Sequence, residues 1–378
     1  MTTLFLEVLK KPLFKYFFDY VKSEKKDEKI ISYANFVAEI YKNGASLDSI
    51  VSKLIFEDEN VYIKSRAGNK PINENIITSL GRELAVFSDF TALSYGDFAS
   101  DLGLDYVTPF DSERVDVYET YTQRAEKIEQ YGYGVFSSYG MFRISDDKQI
   151  EPIISADKAL FSSFIGYEDE RERVVHNTEA FVEGRPAANV LLYGDAGTGK
   201  SSTVKAVANM FFDRGIRLIE LRKDQLSSLP AVMGKISENP LKFIIFIDDL
   251  SFNQNDDNFS MLKAALEGSA SAKADNAVIY ATSNRRHIIK ESFAERDGDD
   301  VHRNDTIQET LSLSERFGLT VFFGKPDKKL YLRIVHTLAE RNNITKNPVE
   351  LDIEAEAFAL RRGNRSARCA EQFIESLM

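Results

Sequence analysis

Gly194-Asp-Ala-Gly-Thr-Gly-Lys200-Ser201 satisfies the spacing G-x-x-x-x-G-K-[ST], a pattern suited to holding a chain of phosphates. Its glycines let the backbone turn N–H groups inward, in conformations that a β-carbon obstructs. A helix opening directly afterwards adds the partial positive charge of its N-terminus. The cradle so formed runs over Gly194, Asp195, Ala196, Gly197, Thr198, Gly199, Lys200, Ser201 and Ser202. Lys200 would bridge the β- and γ-phosphates, and the Ser201 hydroxyl would ligate Mg²⁺.

Further along, Phe243-Ile-Ile-Phe-Ile runs into Asp248-Asp249. A strand buried on both faces that ends in two carboxylates delivers them to the carboxyl edge of a sheet, beside such a loop. Asp248 is the candidate to hold Mg²⁺ through its water shell, and Asp249 the candidate to orient and polarise an attacking water. Asp is one methylene shorter than Glu, which makes the second role the more demanding one. Asn284 follows the next apolar run, where an uncharged amide could hydrogen-bond the γ-phosphate or the water. Arg316, in Ser312-Leu-Ser-Glu-Arg316-Phe-Gly-Leu, precedes the last such run. Presented to a neighbouring subunit's γ-phosphate, an arginine there accelerates hydrolysis on the order of 10³–10⁵-fold. Arg285 and Arg286 compete for that duty, and an ion pair with Glu315 is the structural reading of Arg316.

These residues need a sheet to position them, and the texture of the chain from Glu168 onward supplies one. A helical pattern over Glu168 to Phe181 precedes the strand Asn189-Val-Leu-Leu-Tyr, the glycine-rich turn and a helix from about Ser201 to Phe212. Ile216-Arg-Leu-Ile-Glu-Leu, Phe243-Ile-Ile-Phe-Ile, Ala277-Val-Ile-Tyr-Ala and Gly318-Leu-Thr-Val-Phe-Phe continue the series, with a helix over Leu229 to Ile236. Apolar strands separated by helices predict an α/β fold with a parallel sheet covered on both faces. Pro326 opens a purely helical final piece. Before about Asp157 the chain reads mostly helical. Tyr33, Phe36, Val37, Ile40 and Tyr41 share one helical face, and so do Leu47, Ile50, Val51, Leu54 and Ile55, with Ser46 placed to cap. The charged run Lys22 to Lys29 reads as a solvated face or loop. Tyr131-Gly-Tyr-Gly-Val-Phe and Ser138-Tyr-Gly-Met-Phe predict a small hairpin. Thirteen Phe or Tyr residues between Phe87 and Phe142 read chiefly as core.

Composition narrows the function classes. The 378 residues are 43% apolar and 28% charged, and at roughly 150 residues per domain they predict two or three domains. With 48 basic and 59 acidic residues the net charge is −11, which disfavours nucleic-acid and membrane surfaces unless basic residues cluster locally, as around Arg285-Arg286-His287. A single cysteine, Cys369, excludes an internal disulfide framework and reads as packing in a helix. His176, His287, His302 and His336 lack metal-ligand spacing, and the acidic stretch Glu295 to Asp305 matches no calcium loop. The amino-terminal stretch, broken by Glu7, Lys10, Lys11 and Pro12, fits no signal peptide, and no apolar run is long enough to span a bilayer. A cytoplasmic location is the expectation.

Taken together, these motifs resemble an AAA+ ATPase from about Phe164 to the C-terminus. Gly194 to Ser201 resembles Walker A, Phe243 to Asp249 resembles Walker B, Thr282-Ser-Asn284 resembles sensor 1, and Arg316 falls at the arginine-finger position. Phe164-Ile165-Gly166-Tyr167 resembles the segment that packs on adenine. Gly363-Asn-Arg365-Ser-Ala-Arg368-Cys-Ala resembles the sensor 2 helix, with Arg368 favoured over Arg365 by spacing. The segments IGYEDERERVVHNTEAFVEGRPAANVLLYG, DDLSF, LKAALEG, YATSNRRH and SLSERFGL are similar to an uncharacterised bacterial AAA+ family catalogued as a domain of unknown function. One departure is Asn253-Gln-Asn-Asp-Asp, where that family carries an acidic residue sooner, so that Asp256 or Asp257 would substitute.

The resemblance implies a mostly helical N-terminal domain over 1–157, a nucleotide-binding α/β core over 158–325 and a helical lid over 326–378. It implies ATP and Mg²⁺ as cofactors, with catalytic duties on Lys200, Asp249, Asn284 and Arg316. Ile165, Gly166 and Arg368 would join the loop in holding the nucleotide, and Ser201 and Asp248 would hold the metal. A site completed by a neighbour implies a homo-oligomer, a ring or open helix and in such families often a hexamer, that remodels a protein partner through the N-terminal domain. A DNA loader or initiator and a non-hydrolysing nucleotide-gated scaffold are the alternatives.

Overall fold

The computed structural model describes residues 3–44, 46–157, 159–251, 257–266, 274–284 and 315–378. Arg285, Arg286, His287, His302, Asp256 and the acidic stretch 295–305 lie outside the described residues. The chain divides into two compact units. One comprises Met1–Tyr139 with Glu238–Leu241, the other Gly140–Ser237 with Lys242–Met378.

The first unit is helical. It contains α1 (Leu6–Leu9), α2 (Pro12–Lys22), α3 (Lys26–Lys42), α4 (Leu47–Phe56), α5 (Val61–Ala67), α6 (Glu74–Thr91), α7 (Tyr95–Leu102), α8 (Val117–Glu126) and α9 (Ile128–Tyr131). Its core is built on aromatic edges: Phe5 meets Phe87 at 5.5 Å and 83°, and Phe17 meets Phe90 at 4.7 Å and 89°. Such edge-to-face pairs place a positive ring rim on a negative face, which orders them beyond simple area burial. Glu83 of α6 is buried, and its carboxylate accepts the backbone N–H groups of Thr3, Leu4 and Phe5 at 2.7, 3.0 and 3.2 Å. The carboxylate thereby fastens the residues leading into α1, including its N-cap Phe5, to α6. Most of the aromatic run after Phe87 is core, as its apolar character predicts, while Tyr95, Tyr106 and Tyr118 are exposed.

Two local expectations are corrected. Ser46 does sit at the N-cap of α4, but its side chain makes no capping bond and instead faces the Ser49 hydroxyl at 3.1 Å. The hairpin predicted around Tyr131 to Phe142 is absent among the described residues. Gly134–Ser137 is a 3-10 turn, and strand β1 (Met141–Ile144) pairs with β2 (Ile150–Pro152) instead. The glycines at 132 and 134, which suggested hairpin turns, adopt positive φ to lead the chain out of α9.

In the second unit a seven-stranded sheet runs β2-β1-β4-β5-β6-β3-β7, with β3 (Val190–Gly194), β4 (Ile216–Glu220), β5 (Lys242–Ile247), β6 (Ala277–Ser283) and β7 (Leu319–Phe323). All pairs but β1–β2 are parallel. Full burial of Phe243 to Ile247 on both faces follows from their uninterrupted apolar sequence. Because β1 pairs in parallel with β4, residues from Gly140 onward pack with the sheet, and the first unit ends at Tyr139 where the sequence suggested about 157. Helices α10 (Glu168–Val182), α11 (Lys200–Met210), α12 (Leu229–Ile236) and α13 (Asp257–Leu266) belong to the same unit. Asn177 of α10 locks the entry to β3, exchanging hydrogen bonds of 2.9 Å with both Ala188 N and O. Three further helices, α14 (Lys328–Arg341), α15 (Pro348–Arg362) and α16 (Ala367–Glu375), share a separate small core around Tyr331, Ala355 and Phe373. Cys369 is buried in it, the packing role in a helix that the sequence suggested. Among the described residues no helix is long and apolar enough to cross a membrane.

Candidate functional site

The parallel sheet delivers three loops to one edge. β3 ends at Gly194, which pairs with Phe323 of β7 and has φ +133. A β-carbon there would lie 2.1 Å from the Phe323 carbonyl oxygen, so only glycine fits. Gly194→Ala should destabilise the unit by about 3 kcal/mol, from backbone strain plus a clash with backbone that cannot move without breaking the β3–β7 pairing. A thermal melt checks this, and an unchanged midpoint would contradict the strand register. The loop then turns through Gly197 (φ +74) and Gly199 (φ +89), and α11 begins at Lys200.

Lys200 is 6% exposed. Its Nζ donates to the carbonyls of Gly194 and Asp195 at 3.0 and 2.7 Å, and to Asn284 Oδ1 at 3.1 Å. Burial holds the ammonium below its ordinary pKa, while Asp195, Asp249 and Asp248 pull the other way. Asn284 also donates from Nδ2 to Asp249 Oδ1 at 2.8 Å. Its amide therefore links the loop's cation to the second carboxylate, the one orientation in which both ends are satisfied.

Asp248 Oδ1 accepts from Ser201 Oγ at 2.6 Å and from Thr282 Oγ1 at 2.5 Å. Asp249 has φ +50, a conformation Asp tolerates better than most residues, and its N–H donates to Thr282 Oγ1 at 2.9 Å. Leu250 N donates to Thr282 O at 2.7 Å, so the turn after β5 is fastened to the end of β6. The Ser201–Asp248 pair presents hard oxygen donors at one point. That suits Mg²⁺, which keeps several of its waters and needs few protein ligands. Among the described residues no cluster of three or more His, Cys, Asp or Glu offers a metal site of another kind.

One cavity gathers these groups. Ala196, Gly197, Thr198, Gly199, Lys200, Ser201 and Ser202 line it from the loop, Asp248, Asp249, Thr282 and Asn284 from the strand ends, and Phe164 and Ile165 from the segment before α10. Ile334, Leu338, Ala367, Arg368 and Glu371 close it from α14 and α16. Gly197 lies against the start of α16: a β-carbon on it would meet Ser366 Oγ at 3.2 Å and Arg368 Cβ at 3.3 Å. Arg365 points elsewhere, forming two bonds of 2.9 and 2.7 Å to Glu356. Gly194 and Asp195 reach the site through their carbonyls rather than by lining it. Gly166 stands outside the lining; its N–H donates to Glu168 Oε1 at 3.1 Å, and Leu330 of α14 leaves no room for a β-carbon. Arg316 is half-buried just before β7 and is not among the residues lining this cavity.

Lining side chains that escaped the sequence reading include Arg171, the apolar pair Ile334 and Leu338, and Glu371, whose carboxyl burial pushes its pKa up. Arg171 had a signal. It shares the buried face of α10 with Val174, Thr178 and Phe181 at helical spacing, and a guanidinium on an apolar stripe is out of place without a purpose.

The family described as "Protein of unknown function (DUF815)" matches residues 137–378. Among solved structures, the chain is similar to the Thermotoga maritima RuvB Holliday junction branch migration motor at 12% identity and a TM-score of 0.35, over 58% of this chain and 72% of that one. It is similar to a replication initiator DnaA bound to AMPPCP and single-stranded DNA at 18% identity and a TM-score of 0.41, over 60% and 66%. A DNA replication initiation factor follows at 18% identity and 0.39, over 59% and 65%. No curated protein matches. With the family match spanning the sheet, the glycine-rich loop and the three C-terminal helices, the chain belongs to the DUF815 family, and this part of it is an α/β unit on a mainly parallel sheet.

Proposed function

We propose that this protein is an ATPase that binds ATP with Mg²⁺, hydrolyses it, and as a homo-oligomer uses the cycle to remodel a protein partner taken up by its N-terminal unit. The observation that carries the reading is the connected chain Lys200–Asn284–Asp249, set beside the Ser201–Asp248 pair at one sheet edge. Lys200 and the loop amides neutralise the phosphate chain, and Ser201 and Asp248 would hold Mg²⁺, which supplies further charge neutralisation when bound. Asp249 orients a water for in-line attack on the γ-phosphorus and accepts its proton. The bond from that phosphorus to the β–γ bridging oxygen breaks, leaving ADP and inorganic phosphate. Asn284 holds Asp249 and the incoming water in register. Arg316 is proposed to act on a neighbouring copy's γ-phosphate, supported by its place outside its own cavity. A head-to-tail contact of that kind builds rings or helices. Loss of the γ-phosphate frees the Asn284 and Arg368 ends of the cavity, so that core and lid change their angle.

Steady-state ATPase measurements over a range of protein concentrations, with and without DNA at two salt concentrations, test this. Specific activity should rise with protein concentration and ignore DNA, in keeping with the net charge of −11. Stimulation by DNA that fades with added salt would replace the partner with nucleic acid. Nucleotide binding without turnover at any concentration would leave a nucleotide-gated scaffold.

A further inference from the structure

Arg171 is 8% exposed and lines the cavity beside the phosphate loop. Among the described residues its guanidinium makes no hydrogen bond and no ion pair, and its Nε is buried without a partner. What holds it is the ring of Phe164, which the guanidinium overlies at 4.7 Å. A β-carbon on Gly199, the residue that caps α11, would lie 3.9 Å from Nη2. The contrast with Lys200 is direct. That cation has three oxygen acceptors in its own chain, whereas Arg171 has a planar fork of donors and no hydrogen-bond acceptor among the described residues. Burying an unpaired guanidinium is unfavourable, and a Leu or Met would pack the same stripe of α10 without that cost.

We propose that Arg171 contacts the inner phosphates of the bound nucleotide from within the same chain, with the Phe164 ring fixing the plane of its fork. The assignment rests on reading this cavity as the nucleotide site. Its placement separates it from the γ-phosphate machinery. Lys200, Asn284 and Asp249 converge at the strand ends, while Arg171 stands over the turn of the loop at Gly199. A guanidinium so held can grip two phosphate oxygens at once, which an ammonium cannot. Burial also pulls its pKa down to about 10, against Glu168, Tyr167 and Glu170, leaving the group charged at neutral pH.

Calorimetric titration of the full chain with ATP–Mg²⁺ and with ADP, paired with melting of the ligand-free protein, tests the proposal. R171M should weaken both nucleotides by a similar factor, on the order of tenfold to a hundredfold, the loss of a charge-assisted contact. The ligand-free melting temperature should stay level or rise, because a buried unpaired charge has gone. R171K, restoring charge without the fork, should recover part of the affinity. Wild-type affinity in R171M would overturn the proposal. So would a loss confined to ATP, or a fall in ligand-free stability that R171K repairs without repairing affinity. Should R171M fail to fold, R171Q is read by the same criteria. Absence of nucleotide binding in the wild-type protein would overturn the site reading itself, a result distinct from an insensitive R171M.

Discussion

Lys200→Ala is expected to weaken ATP affinity by roughly 10²–10⁴-fold, the largest effect on affinity of any single substitution in the site. The magnitude follows from removing a cation that would contact two phosphate groups, at about 1.5–3 kcal/mol for each charge-assisted bond. The ammonium is already positioned by the chain itself, bonded to Gly194 O, Asp195 O and Asn284 Oδ1. Binding therefore exchanges acceptors instead of ordering a free side chain, and little of the interaction is lost to entropy. The substitution also leaves Asn284 without a donor to its oxygen, so the amide is free to rotate away from Asp249. Calorimetry with ATP–Mg²⁺, alongside a melt to confirm folding, measures the effect. Affinity within a few fold of wild type would mean that the loop does not hold a triphosphate in the proposed way.

Asp249→Asn should bind ATP with near-native affinity yet turn it over about 10²–10⁴-fold more slowly, the range for loss of a general base. The variant is chosen because its backbone requirement is met. Position 249 has φ +50, which Asn tolerates as well as Asp, and the Asp249 N–H bond to Thr282 survives. A 249 amide turned oxygen-first still accepts from Asn284 Nδ2, so the geometry holds while the proton acceptor is gone. Single-turnover hydrolysis separates this from slowed product release. Retained turnover in a verified preparation would remove Asp249 from the reaction and leave Asn284 as the residue that positions water. If the switch reading is correct, this variant with ATP should also hold the partner-bound state long enough for capture.

Much of the architecture was legible because its signals are local. An uninterrupted apolar run such as Phe243 to Ile247 reads as a strand covered on both faces, and the pattern from Gly194 to Ser201 reads as a loop between strand and helix. Regularity failed where glycines had a different use. Gly132 and Gly134 lie in a turn out of α9 rather than in a hairpin, and the chain joins the sheet only at Met141, by pairing with a strand more than seventy residues later.

By itself, the sequence determined the chemistry available at the site: the loop and its lysine, the two carboxylates, the amide and the candidate arginines, each a residue type at a recognisable spacing. Only the tertiary structure decided which of them meet. Spacing favoured Arg368 over Arg365, and the structure supplies the physical reason: Arg368 lines the cavity while Arg365 is engaged by Glu356. The bridge through Asn284 exists because β6 lies between β3 and β5 in the sheet, an order that no linear reading supplies. Arg171 stands in the site for the same reason. Helical periodicity puts it on a buried face, but what that face covers is set by which strand and loop α10 packs against.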